Sequence, residues 1–169
     1  NDNACSSWTS NGTSTSVTLP TLATGTTYYW HVRAYNAIGT TYSNGSLTAY
    51  WSFTTGLPPG AFYKSNPPNG ATGQPTYFTA SWGAAAGATY YEACVDSTND
   101  HACGAWSNIG DVTSVAMGGF AYGTTYYWHV RAVNSFGVTY SNGTSTADWS
   151  FTTGWPPGAF NKTSPANGA

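Results

Sequence analysis

The nine residues TTYYWHVRA occur twice, at 26–34 and at 124–132, so this chain of 169 residues repeats itself at an interval of 98. Extended outward, the match aligns residues 1–71 with 99–169 without a gap, and 45 of 71 positions are identical. Asn1, Asp2, Ala4, Cys5 and Trp8 return as Asn99, Asp100, Ala102, Cys103 and Trp106. YSNG at 42–45 returns at 140–143, and WSFTTG at 51–56 returns at 149–154. A period this long is about the size of a single β-sandwich domain.

The punctuation of the repeat sets its phase. Gly/Pro stretches mark turns and boundaries, and GLPPGAF at 56–62 is echoed by GWPPGAF at 154–160. Reading from seam to seam gives residues 1–56 as the C-terminal part of one module and 57–154 as a complete module. Residues 155–169 are then the first strand of a following module. Two full periods would need 27 residues more than the chain contains, so a window on a longer array is expected.

Within 57–154 the hydrophobic period is two. Along 124–132, Tyr126, Trp128, Val130 and Ala132 fall on one face, and Tyr127, His129 and Arg131 on the other. A half-buried antiparallel strand reads this way. Further strands are expected at Tyr77–Trp82, Thr89–Val95, Ala105–Asn108, Thr113–Met117 and Trp149–Thr153, with turn-rich PPNGATGQP, STNDHA and SNGTSTAD between them. No segment carries a helical stripe, so the fold class is all-β. Charged residues are only 6% of the chain, but 40% hydrophobic residues, with 8 Trp and 13 Tyr, suffice for a core. No apolar run approaches the ~18 residues of a membrane span, and no stretch resembles a signal peptide. The four basic residues form two repeat-related pairs, Arg33/Arg131 and Lys64/Lys162. They read as framework positions and leave no nucleic-acid footprint.

One resemblance follows from this pattern. Leu22-x-x-Gly25-x-x-Tyr28-x-Trp30-x-Val32-x-Ala34-x-Asn36-x-x-Gly39 resembles the E–F corner and F strand of a fibronectin type III domain. Phe120-x-x-Gly123-x-x-Tyr126-x-Trp128-x-Val130-x-Ala132-x-Asn134-x-x-Gly137 repeats it. The resemblance implies a Greek-key β-sandwich, with Tyr28 and Tyr126 as tyrosine-corner residues bonding back to nearby backbone. It also places Trp82 as the core Trp of strand B and WSFTT as strand G. The Thr- and aromatic-rich composition is similar to tandem modules of long secreted or surface-attached bacterial proteins. That likeness is specific for fold and nearly silent on function.

The cysteines depart from the family pattern, whose domains mostly lack disulfides. Cys94 and Cys103 flank VDSTNDHA at a C to C′ connection, where adjacent strands bring Cβ atoms within bonding range, and a disulfide between them is expected. Cys5 matches Cys103, but the equivalent of Cys94 would precede residue 1, which accounts for the odd cysteine. A free regulatory thiol is the rival reading. The disulfide points to an oxidising, extracellular or cell-surface setting.

Chemistry-bearing residues are few. The carboxylates are Asp2, Glu92, Asp96, Asp100, Asp111 and Asp148, and the histidines His31, His101 and His129. His31 and His129 recur at the repeat offset on the outward face of strand F, unlike a catalytic group. No GxSxG elbow, HExxH or phosphate loop is present, so neither enzyme activity nor a cofactor is assigned. Asp96, Asn99, Asp100 and His101 crowd one loop and have the chemistry for a cation, but Asp and Asn favour turns for their own backbone bonds, and no metal is assigned. Tyr29/Tyr127, Trp8/Trp106 and Trp155 raise a carbohydrate-stacking surface, with Trp106 and Tyr127 its best candidates, against cross-strand pairing as the structural alternative. The sequons at Asn11, Asn44, Asn142 and Asn161 are candidate glycosylation sites.

Two classes of function remain. One is a structural or adhesive module of an extracellular filament, stalk or surface protein, its partners being neighbouring copies of the same module or chain and surface glycans. The other is a spacer or carbohydrate-binding accessory module of a secreted polysaccharide-degrading enzyme. The near-identity of the repeats favours the first. Residues 1–55 lack strand B and most of strand C, so they are expected to show Trp30 at an exposed face or to borrow strands from another chain.

Overall fold

The computed structural model describes residues 5, 7–165 and 167–168, so Asn1, Asp2 and Ala4 of the repeat lie outside the described residues. The chain divides into two compact units, Asn1–Leu57 and Pro58–Ala169. The first contains four short strands, β1 (Thr27–Trp30), β2 (Arg33–Tyr35), β3 (Thr40–Tyr42) and β4 (Trp51–Thr54). β1 pairs antiparallel with β4, and β2 with β3.

The described residues of the second unit form nine strands. They are β5 (Lys64–Asn66), β6 (Ala71–Gln74), β7 (Tyr77–Trp82), β8 (Tyr90–Asp96), β9 (Ser107–Gly110), β10 (Ser114–Gly118), β11 (Thr125–Asn134), β12 (Gly137–Tyr140) and β13 (Trp149–Thr153). One sheet has the order β10-β7-β5; the other runs β6-β13-β11-β8-β9, with β12 also paired to β11. All pairings are antiparallel except β6 with β13. β11 anchors the larger sheet because it is ten residues long and rich in β-branched and aromatic side chains, and it pairs on both edges.

The core lies between the sheets. Ala80, Trp82 and Met117 come from the smaller sheet, and Tyr91, Ala93, Trp128, Val130, Ala132 and Phe151 from the larger. Trp128, Val130, Ala132 and Phe151 are fully buried, as the alternation of β11 requires. Removing a side chain such as that of Trp128 to Ala would cost about 3–5 kcal/mol. Outward positions are joined by hydroxyl rungs, Thr125 to Thr152 at 2.8 Å and Ser65 to Ser81 at 2.9 Å.

Two sequence expectations differ from the structure. Residues 155–165 form no strand. Their counterpart β5 pairs with β7, and the equivalent of β7 would lie 98 residues further on, past residue 169. His129 is not outward in any exposed sense, since it is fully buried. Strand alternation places it on the outer face of β11, but Lys64 and the segment before β13 cover that face. In the first unit Trp30 is 45% exposed, against 0% for its repeat partner Trp128.

Candidate functional site

The most concentrated polar chemistry of the second unit lies behind the core, where β5 meets β11. Lys64 enters from the first strand, and its side chain is almost entirely buried. Its Nζ donates to the Ala147 carbonyl at 2.7 Å and lies 3.3 Å from His129 Nδ1. The ammonium is also 5.5 Å from the ring centres of both Trp128 and Trp149. Burial pushes the Lys64 amine down to about 7, against the opposing pull of the Asp148 carboxylate.

The tautomer of His129 follows from its partners. Nε2 meets the Thr144 carbonyl at 2.8 Å, an obligate acceptor, so Nε2 carries the proton. Nδ1 then accepts from the Ser141 hydroxyl at 3.0 Å, from the Val130 amide and from Lys64. Burial, and then the neighbouring Lys64 charge, hold the imidazole pKa below its ordinary value, opposed by the Thr144 carbonyl and by Asp148. Asn142, with φ +60°, closes the arrangement: its Oδ1 accepts from the Lys64 amide at 3.2 Å, while its own amide donates to the Phe62 carbonyl at 3.0 Å. The first strand is thereby fastened to the β12–β13 connection.

In the first unit, the half of this arrangement that lies on the later strands is present. His31 Nδ1 meets Ser43 Oγ at 2.9 Å, and Nε2 meets the Ser46 carbonyl at 2.7 Å. A pocket of about 90 Å³ opens there, lined by Trp30, His31, Ser43, Asn44, Ala49 and Trp51.

The remaining sequence candidates sit elsewhere. Cys94 and Cys103 are joined in a disulfide with a Cα–Cα distance of 5.9 Å, and Cys5 is free. In the loop that the disulfide closes, Asp96 accepts from the Thr98 amide and Asp100 from the Ala102 amide, both at 2.9 Å. His101 pairs instead with Asp148 at 2.9 Å. The carboxylates therefore hold their own turns, and no group of three metal-ligating side chains occurs among the described residues. The Tyr126 hydroxyl accepts from the Ala121 amide at 3.0 Å, and Tyr28 from Ala23 at the same distance.

Trp106 and Tyr127 serve different contacts. The Arg131 guanidinium lies 4.2 Å from the Trp106 ring centre, and its Nε donates to the Glu92 carboxylate. Trp106 also packs on His129 and Tyr140, whereas Tyr127 borders the disulfide loop with His101 and Asp148. Among the sequons, Asn11, Asn44 and Asn161 are exposed, while Asn142 is half-buried and engaged with Lys64.

Sequence reasoning missed the joint role of Lys64, Ser141 and Asn142. The available signal was that the few ionisable residues of a low-charge chain, Lys64/Lys162 and His31/His129, recur at the same offset.

The strand order β10-β7-β5 against β6-β13-β11-β8-β9, with the Tyr126 corner, places the architecture. The fold is a fibronectin type III-like β-sandwich. The chain is similar to a mutant of FN3tt, with 20% identity over 58% of this chain and 97% of that one, at a TM-score of 0.36. It is similar to an Fn3-like protein from Clostridium thermocellum, with 20% identity over 62% and 97% of the two chains and a TM-score of 0.36. The FN1–FN3 domains of chicken contactin give 16% identity over 79% of this chain and 45% of that one, with a TM-score of 0.43. No protein-family model and no curated protein matches the sequence. No helix of the described residues is long and apolar enough to cross a membrane.

Proposed function

We propose that the chain is a structural or adhesive repeat of an extracellular filament, stalk or surface protein, with residues 57–154 as one complete module and no chemistry of its own. The observation that carries the reading is the 98-residue repeat, which keeps the seam, the core face and the Lys/His positions alike. A spacer has only to occupy length, so its copies can drift apart. A fibre must form the same contact at every junction, which constrains equivalent residues together. The disulfide fits an oxidising location.

Antibodies raised against the 169-residue chain test the reading on intact cells of the source organism. Labelling along surface fibres or stalks is expected. Recovery of the antigen only in a soluble, polysaccharide-degrading secreted fraction would overturn it in favour of an accessory module.

A further inference from the structure

We propose that residues 58–66, the entry segment of the second unit, are held by an acid-sensitive latch, and that protons taken up at Lys64 and then at His129 release the segment while the rest of the sandwich stays folded. β5 is the strand whose loss disturbs the unit least. It has three residues, lies at the edge of the smaller sheet and pairs with β7 across a register shift. Short, irregular edge strands of this kind open at free energies below that of global unfolding. The rest of the segment is fastened by single bonds. The Gly60 amide donates to the Ala86 carbonyl at 2.8 Å, and the Gly83 and Asn142 amides donate to the Tyr63 and Phe62 carbonyls at 2.9 and 3.0 Å. The Lys64 amide donates to Asn142 Oδ1, and Phe62 packs edge-on against Tyr91.

Lys64 and His129 close the latch, and both are set against an added proton. His129 Nδ1 faces three donors, the Ser141 hydroxyl at 3.0 Å, the Val130 amide at 2.9 Å and Lys64 Nζ at 3.3 Å, while the proton on Nε2 goes to the Thr144 carbonyl. A second proton, on Nδ1, would point at the Val130 N–H and at the Lys64 ammonium, and of the three only the Ser141 hydroxyl can turn to accept it. The ammonium itself has little to replace lost water, because the carboxylate that attracts it, Asp148, is bonded to His101. The Trp106 and Tyr140 rings pack on the imidazole, and the Arg131 and Glu92 charges on the same sheet face are paired with each other. Withdrawal of residues 58–66 returns the amine to water and uncovers the imidazole, so the open form binds both protons more tightly.

The seated amine titrates at about 7, against 10.5 for a free one. Between those values the open form carries up to one proton more, so its population rises by up to tenfold per unit of falling pH, and by about fiftyfold from pH 9 to 7. His129, also held below its ordinary value, adds a second rise below about 6.5. Release frees about 30 Å of extended chain ahead of the sandwich, at ~3.3 Å per residue, so acid becomes slack in the entry to the module. The latch is built from residues of the 57–154 module alone and works with or without a fibre, so it and the filament reading can fail separately.

Native-state hydrogen exchange of the full chain between pH 5 and 9, corrected for the pH dependence of the exchange chemistry itself, is the experiment. The amides of Gly60, Lys64, Gly83 and Asn142 report release of the segment, and the Ala132 amide of β11 reports unfolding of the whole unit. The first set should be about tenfold or more less protected than Ala132 at every pH. It should also lose protection about fiftyfold from pH 9 to 7 and again below about 6.5, in parallel with Ala132, because global unfolding frees Lys64 too. Lys64→Met should abolish the loss between pH 9 and 7. Equal protection of the two sets means that the segment leaves only with the whole unit, and overturns the proposal. Lower protection that stays constant from pH 9 to 7 overturns it as well, since the segment then opens with Lys64 still seated. Should Lys64→Met fail to fold, the comparison of the two sets in the unaltered chain decides alone.

Discussion

Raising the pH from 7 to 9 should stabilise the second unit, and Lys64 supplies the reason. Its side chain is only 4% exposed, and burial lowers its amine from 10.5 to about 7 in the folded unit. In the unfolded chain the same amine titrates near 10.5. Between those values the unfolded state binds about one proton more than the folded state, so stability rises with pH by at most ~1.4 kcal/mol per unit. Integrated from pH 7 to 9, the gain is about 2 kcal/mol, or roughly 8–16 °C in Tm for a unit of about 100 residues. On the acid side His129 adds to the effect: its lowered pKa means that the unfolded chain gains a proton below about 6.5 while the folded unit resists, so stability falls further. The assay is denaturant unfolding at fixed ionic strength, followed through exchange of the Val130 and Ala132 amides, which lie only in the second unit. Lys64→Met should lower the absolute stability, since the Ala147 carbonyl loses its donor, and flatten the slope between pH 7 and 9. A wild-type slope that is zero or negative, or one that survives in Lys64→Met, refutes the reasoning.

Three further outcomes are expected. Cys103→Ser should destabilise the second unit by about 2.7 kcal/mol on the loop-entropy estimate for a separation of 9 residues, read by calorimetry under one redox condition; an unchanged Tm would assign the bond no role. Tyr126→Phe should cost about 0.5–1.5 kcal/mol in urea unfolding, the net worth of its bond from the Ala121 amide, and a neutral substitution would contradict the tyrosine-corner role. Gly123→Ala should cost about 1 kcal/mol or more, because φ is +61° there. The added Cβ would also clash with the Trp155 indole, so that side chain must move, and an indole whose NMR shifts stay unchanged would count against the packing.

The long, locally specified features were legible in the sequence. Along β11 the inner positions Trp128, Val130 and Ala132 are buried, as a period of two requires, and His129 between them is buried as well. Strands β7 and β13 have the expected bounds, and β8, β9 and β10 begin one or two residues later than expected. The three- and four-residue strands β5, β6 and β12 were not legible, because too few side chains alternate to make a pattern, and β6 and β12 each contain a Gly. The same limit hid the polar site. Alternation correctly places His129 opposite the core, yet its burial depends on Lys64, 65 residues away, and on the Ser141–Thr144 turn. Local pattern specifies the face of a strand, whereas its cover is a property of long-range pairing.

The lone parallel pair, β6 with β13, has a mechanical meaning. One strand lies near the entry of the second unit and the other at its exit, and parallel strands pulled by those opposite ends slide lengthwise past each other. Tension that reaches them therefore loads the Gly70 amide to Ser150 carbonyl bond, the Ser150 amide to Asn69 bond and the Gly154 amide to Gln74 carbonyl bond together, at 2.8 to 2.9 Å each. Bonds loaded in shear yield as a group, whereas the rungs of an antiparallel hairpin drawn from one end open in succession. A tether built from such units stays extended and intact until that set breaks. Single-molecule pulling, with Asn69→Ala as the weakened comparison, reads the force at which it does.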